Sequence, residues 1–315
     1  MRLLTIGIGK KGASISDMLH AKGARVNKVN LFKTYAVCGE SSQLGSLKLP
    51  ADNRFLAWQD DPEAARSILT AIFSKHEFYE AFMIVSHIDD EYGFDLTVKI
   101  GEELMSLSDD PVINLLLIPP LDTISDYHEL RKRLKIISNS SKFVLLFEEK
   151  DGYQEMILNS LNMLSLVGEI DLKKKIAGEV VVDTSDVFNS FMKGLSAIGY
   201  AEEPVNRSFL ERVSFLRRFA KKEDHAKKTE KMVNIMKKAI NDNLSARCDI
   251  SSAKTALLLF GGDPEDITMD GMFTSLQMID KVVSGVELRY GDYPVPHSKY
   301  LKAMVLFSGM SGLKF

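Results

Sequence analysis

Three groups of residues in the 315-residue chain have types and spacing that could do chemistry. The first is Gly7-Ile8-Gly9-Lys10-Lys11-Gly12, which fits G-x-G-x-x-G between an apolar run and a helical pattern. Glycines so spaced let backbone N–H groups approach a phosphate at the positive end of a helix. A tight strand-to-helix turn with no ligand reads the same way, and so does a dinucleotide enzyme. The dinucleotide reading wants an acid about 20 residues later, at the end of the second strand, to hold a ribose. The run Val26 to Tyr35 ends without one, and Glu40 follows only in the loop Cys38-Gly39-Glu40-Ser41-Ser42. The second group is Asp183 and Asp186, just before Val187 and Phe188 of a predicted helix. Carboxylates three apart at a helix start share a face and can be presented outward, and the same spacing makes a capping box. The third is His87-Ile88-Asp89-Asp90-Glu91-Tyr92-Gly93. A histidine beside three acids suggests a metal, while an acidic turn capping the next helix accounts for the same residues.

The elements that must position these groups read as α/β in the first half. Residues 2 to 8 are mostly apolar, and after the glycine turn Ala13, Ile15, Met18 and Leu19 fall at helical spacing. Ala81 to Val85 and Val112 to Ile118 read as buried strands, with helical segments near 62 to 76, 94 to 107 and 124 to 138. Ser141 to Phe147 closes the series. Strands alternating with helices imply a parallel sheet covered on both faces. The apolar helical pattern around Tyr153 to Val167 is expected to be buried on several sides and to bridge two domains. Phe209 to Asn243, rich in Lys and Arg, reads as a loop followed by a surface helix, with Phe209 to Lys238 a mobile or solvated surface element or simply a charged helix face. Thr255 to Phe260, Gly285 to Tyr290 and Tyr300 to Phe307 read as strands around an amphipathic helix at Met272 to Val283, a smaller mixed sheet. The expected division is 1–150, 151–178 and 179–315.

Composition narrows the class. With 45% apolar and 26% charged residues the chain is ordinary for a soluble protein, and no stretch approaches the roughly 20 apolar residues that span a bilayer. The start is too short and too broken by glycine to be a signal-peptide core. Cys38 and Cys248 stand far apart without metal-ligand spacing, so no disulfide framework or metal site is expected and a reducing cytoplasm fits. A net charge of −3 gives no electrostatic case for nucleic acid.

Several segments of the second half stand in an order that resembles the archaeal CetZ group of the tubulin/FtsZ superfamily. They are Val180-Val181-Val182-Asp183-Thr184-Ser185-Asp186-Val187 with Ala197 to Ala201, Cys248-Asp249-Ile250 with Ala256 to Leu259, and Gly261-Gly262-Asp263-Pro264-Glu265. Arg289-Tyr290-Gly291-Asp292-Tyr293-Pro294-Val295-Pro296 and Val305 to Gly309 follow. The resemblance covers nearly the whole chain, weakly before residue 150 and strongly after about residue 178. It implies the tubulin/FtsZ fold: a Rossmann-like nucleotide-binding domain, a central helix and a smaller mixed-sheet α+β second domain. It further implies GTP or GDP with magnesium between the subunits of a head-to-tail filament, each second domain completing its neighbour's site. On this resemblance Gly7, Gly9 and Gly12 match the first phosphate loop, and Cys38-Gly39 falls at the next nucleotide-facing loop. Asp183 and Asp186 match the catalytic-loop acids that orient the attacking water, while Val181 replaces the Asn at the head of that loop.

One departure matters. The family's glycine-rich signature loop should follow Ala81 to Ser86, where this chain has His87 to Gly93, and only Gly93 agrees. Side chains on such a loop block the approach of backbone donors to phosphates. A carboxylate about 4 Å from a phosphate costs roughly 1 kcal/mol per charge pair in water and about 4 at an effective dielectric near 20. Phe147-Glu148-Glu149-Lys150 stands where relatives offer Asn or Asp, and Ile157 where a polar base contact is expected. The reading is a cytoskeletal protein with a degenerate GTP site and weak or absent hydrolysis, working by assembly with itself or a related FtsZ/CetZ protein, whose filament it could cap at one end. An active polymerising GTPase is the alternative, and a nicotinamide-dependent enzyme a less favoured one.

Overall fold

Leu3–Ile8 carries no charge and buries every residue, as a strand covered on both faces must. It is the first strand, β1, of a computed structural model that describes residues 1–58, 61, 63–168, 180–205, 225–283 and 285–314. The helix α1 (Gly9–Lys22) follows without a loop. Two-residue strands β2 (Arg25–Val26) and β3 (Val29–Asn30) then form a hairpin, turned by positive-φ Asn27 and Lys28. The second sheet strand is β4 (Phe32–Cys38) rather than the run from Val26 to Tyr35, so Glu40 lies two residues past its end. After α2 (Ser41–Gly45) and β5 (Arg54–Leu56) comes α3 (Ala64–Phe73), then β6 (Ala81–His87), α4 (Glu91–Leu107), β7 (Val112–Ile118), α5 (Tyr127–Asn139) and β8 (Phe143–Glu148).

The central helix α6 (Tyr153–Leu166) leads to a short helix α7 (Thr184–Asn189) and β9 (Leu195–Pro204). The helix α8 (His225–Asn241), β10 (Thr255–Gly262), α9 (Met269–Val282), β11 (Glu287–Pro294) and β12 (Tyr300–Met310) follow among the described residues. Residues 169–178 of the expected central connection and 209–224 of the basic segment lie outside the described residues. What is described of that segment, α8, buries Met232, Val233, Ile235, Met236, Ala239 and Ile240 and is a packed helix with one solvated face.

Among the described residues all strands but the hairpin join one sheet, in the order β11-β10-β12-β9-β8-β7-β6-β1-β4-β5. From β5 to β9 it is parallel; β12 runs antiparallel to both β9 and β10, and β11 is parallel to β10. Alternate side chains of β6 feed two cores. Ala81, Met83 and Val85 pack in the layer under α1 and α6, and Phe82 and Ile84 in the layer under α3 and α4. The α/β and mixed-sheet halves thus share one sheet, at a narrow seam where β8 and β9 pair only through Val144↔Leu195 and Leu145↔Ser196. Beyond that point the strands part, and the buried Ser245 fills the gap: its Oγ donates to the Leu146 carbonyl at 2.6 Å and accepts from the Ile198 N–H at 3.0 Å.

Strand order reverses about β1, since the chain steps out to β4 and β5 and then returns to β6 on the other side. Ligands of open α/β sheets bind at the carboxyl ends of the strands where this reversal opens a crevice. The helix α6 runs back from the carboxyl end of β8 to the opposite end of the sheet, where the Met1 backbone nitrogen donates to the Ser165 carbonyl at 2.7 Å. Its 14 residues span about 21 Å.

Candidate functional site

A cleft of about 660 Å³ opens at the carboxyl ends of β1, β4 and β6, between Gly9, Lys10, Gly39, Trp58, Asp89 and Asp90 among others. Gly9 begins α1 at φ +70°. Gly7 and Gly12 act behind it: a Cβ on Gly7 would strike the Gly12 backbone, and one on Gly12 the Val85 carbonyl. Their bareness seats α1 against β1 and β6, which is how the glycine turn reaches the cleft. Gly39 lines the cleft beside the Tyr92 ring, whose hydroxyl donates to the Ala57 carbonyl at 3.0 Å. Cys38 does not line it. Its side chain lies in a small core with Ala13, Leu44 and Leu49, and burial, helped by the charges of Asp90 and Glu40, pushes the thiol up to about 11. Gly93 sits in the first turn of α4 with its N–H donating to Asp90 Oδ1 at 3.2 Å.

His87 has both ring nitrogens engaged. Nδ1 accepts from the Asp89 N–H at 3.1 Å, so the ring hydrogen is on Nε2, which donates to Glu149 Oε2 at 3.2 Å. Burial and then the nearby Lys11 hold its pKa below the ordinary value, outweighing Glu149 and Asp89, so the imidazole is neutral. Lys11 Nζ meets the same Glu149 oxygen at 2.5 Å. Glu149 therefore ties the first turn of α1 to the end of β6. Histidine and acids here do not make a metal site: no group of three or more His, Cys, Asp or Glu among the described residues could hold an ion.

The stretch Phe147 to Lys150 is committed to structure rather than to a ligand. Buried Glu148 accepts from the Leu121 N–H at 2.9 Å and from Arg247 Nη2 at 2.7 Å, while Arg247 Nη1 donates to Asp122 at 2.8 Å. These carboxylates hold the guanidinium above its ordinary pKa. Lys150 donates to the Leu244 carbonyl, and Ile157 lies in the apolar layer beneath α6. Sequence reasoning missed Trp58, 67% exposed at the rim, and the Lys11–Glu149–His87 chain. A lone aromatic in a loop carries no periodicity, and contacts 62 and 138 residues apart leave no local spacing to read.

Asp183 and Asp186 stand elsewhere, beyond the far end of α6. They form a reciprocal capping box on α7: the Asp186 N–H donates to Asp183 Oδ1 at 2.8 Å and the Asp183 N–H to Asp186 Oδ2 at 3.2 Å. The preceding residues are strapped to the sheet edge. Val180 N–H donates to Asp292 Oδ1 at 2.8 Å, the Asp292 N–H to the Val180 carbonyl at 3.1 Å, and Val182 fills the space left by the missing side chain of Gly291. Arg289 Nε lies 3.8 Å from Asp186 Oδ1. Val181 points out, 66% exposed. Within one chain the glycine cleft and the acid pair are at opposite ends of the sheet.

The family model described as tubulin-like CetZ, C-terminal domain, matches residues 149–314, just over half of the chain. The chain belongs to the tubulin-like CetZ family. Tubulin-like protein CetZ1 of Haloferax volcanii is 24% identical, over 99% of this chain and 89% of the relative. CetZ5 of the same organism is 23% identical over 99% and 88%. Among solved structures, this CetZ-family fold superposes on a GDP bound monomer of Haloferax volcanii CetZ1 with a TM-score of 0.78, at 24% identity and covering 99% and 95% of the two chains. A GTPgS bound protofilament of Haloferax volcanii CetZ2 gives 0.77 at 21% identity, covering 99% and 94%. An empty FtsZ dimer from M. jannaschii gives 0.69 at 15%, covering 98% and 88%. The fold is that of tubulin and FtsZ. No helix among the described residues is long and apolar enough to cross a membrane.

Proposed function

We propose that this CetZ-family protein is a cytoskeletal component whose nucleotide site is weak and which works by end-to-end association, with itself or with a better-preserved relative. The observation that carries the reading is the inequality of the two ends. At the cleft, Asp89 and Asp90 stand among the lining residues, and the α4 donor at Gly93 is already taken by Asp90. A triphosphate fits this lining poorly, because beside the uncapped start of α1 and the cations Lys10 and Lys11 its charge also meets the carboxylates of Glu40, Asp89 and Asp90. At the other end Asp183 and Asp186 are held outward by their mutual cap and by the strap to β11. Unlike faces make a heterologous contact that can continue into a filament. In this proposal residues 1–150 carry the cleft, 151–178 connect the ends, and 179–315 carry the acid end.

The test begins with the nucleotide content of the purified protein, followed by magnesium-dependent GTP turnover. Little bound guanine nucleotide and little turnover are expected; turnover that Asp186→Ala abolishes would instead establish the second reading, an active polymerising GTPase. That second reading draws on the size of the cleft and on the nucleotide-bound relatives. Added substoichiometrically to a polymerising CetZ or FtsZ, the protein should shorten filaments in light scattering and electron microscopy. The effect should vanish with Asp183→Lys. Long GTP-dependent filaments of this protein alone, with no effect on the relative, would rule the first reading out.

A further inference from the structure

We propose that Asp90 is the resident anion of the cleft, its carboxylate occupying the point where the starts of α1 and α4 converge and so excluding phosphate groups. The inference rests on the weak-site reading and gives it a single responsible side chain. The strands β1 and β6 pair in parallel from Leu3↔Ala81 to Gly7↔Val85, so the helices that follow them begin side by side. Each helix start carries about half a positive charge and unpaired N–H groups. The start of α1 has no cap of its own: Ile8 stands at its N-cap and no acid lies in its first turn. The start of α4 is capped by Asp90, whose Oδ1 accepts from the Gly93 N–H at 3.2 Å.

The carboxylate caps one end and abuts the other. Its Oδ2 lies in the space that a Cβ on Gly9 would take, and it would be 2.8 Å from a Cβ on Gly93. Two glycines, one from each helix start, leave room for one side chain. A phosphate arriving there meets one helix end already capped and must displace, from beside the other, a carboxylate of its own sign. A plain N-cap would explain the Gly93 bond, but not the seat against Gly9 on the other helix.

The two roles separate by substitution, because Ser caps a helix about as well as Asp but is shorter and uncharged. Asp90→Ser should keep the melting temperature of the wild type and gain roughly tenfold or more in affinity for both inorganic pyrophosphate and GDP. Binding is read by titration calorimetry and by the fluorescence of Trp58, the single tryptophan and a lining residue of the cleft. Asp89→Ser, which removes a neighbouring acid outside the Gly9 seat, should change either affinity much less. A gain for GDP without one for pyrophosphate would place the effect on the nucleoside and overturn the proposal. So would Asp90→Ser binding both probes no better than wild type. If Asp90→Ser and Asp90→Asn both melt early, restoration by pyrophosphate supports the resident anion and failure to restore sinks it. The resident anion is tested by the ratio of variant to wild-type affinity, whereas the weak-site reading falls only if the wild type itself purifies with guanine nucleotide and turns it over.

Discussion

His87 shows what one buried side chain does to the pH response of the whole fold. Its folded pKa lies below the ordinary value of 6.5, with burial the first cause. The unfolded chain therefore takes up a proton on this residue before the folded one does, and stability falls as pH drops from about 6.5 toward the folded pKa. Above that window the residue contributes no slope. His87→Gln should flatten the melting-temperature profile between pH 7.5 and 5 relative to wild type, and identical profiles would contradict the assignment. Asp183 poses a different question, because its cap and its charge are separable. Asp183→Ala should cost about 1 kcal/mol in denaturant unfolding, and Asp183→Ser close to nothing. If the acid end acts through charge, both variants should lose the filament-shortening effect although only one loses stability.

At the scale of elements, close approach decides more than propensity. The helix α1 sits on β6 because Gly12 has no side chain against the Val85 carbonyl. Gly12→Ala should force the helix outward at about 1–3 kcal/mol, read as an earlier urea midpoint. Gly45→Ala, on a helix with nothing near its missing Cβ, should be neutral or slightly stabilising. The apolar strands β1, β6 and β7 were legible in the sequence because strands buried on both faces leave continuous runs. The glycine turn and the acid pair were legible as local spacing. The hairpin at Arg25–Asn30 was not, since strands of two residues leave no alternation, and without it the second sheet strand reads as starting and ending too early. The conversion of Phe147 to Lys150 into a seam was equally hidden. It depends on Leu121, Leu244 and Arg247, which the chain brings in from far away.

The whole molecule has its cleft in one half and its acids in the other, joined by a sheet that narrows to two residue pairs between β8 and β9. If subunits associate end to end, tension along the polymer runs parallel to the strands, enters through β1 and β6, and leaves through α7. It must cross the seam in shear. What resists it there are the two register pairs, the Ser245 bridge, the Glu148 N–H to Ser245 carbonyl bond at 2.7 Å, the Lys150–Leu244 bond, the Glu148–Arg247 pair and the apolar layers that run across the seam, against the long β9–β12 ladder beyond it. Ser245→Ala leaves the Ile198 N–H and the Leu146 carbonyl without that partner, a loss of about 1–3 kcal/mol concentrated on this line. Pulled from its two ends in an optical trap, the molecule should yield first between its halves, with each half still folded, and Ser245→Ala should lower that first rupture force. The seam would then work as a mechanical fuse, letting a strained subunit part in the middle while its contacts at both ends stay closed.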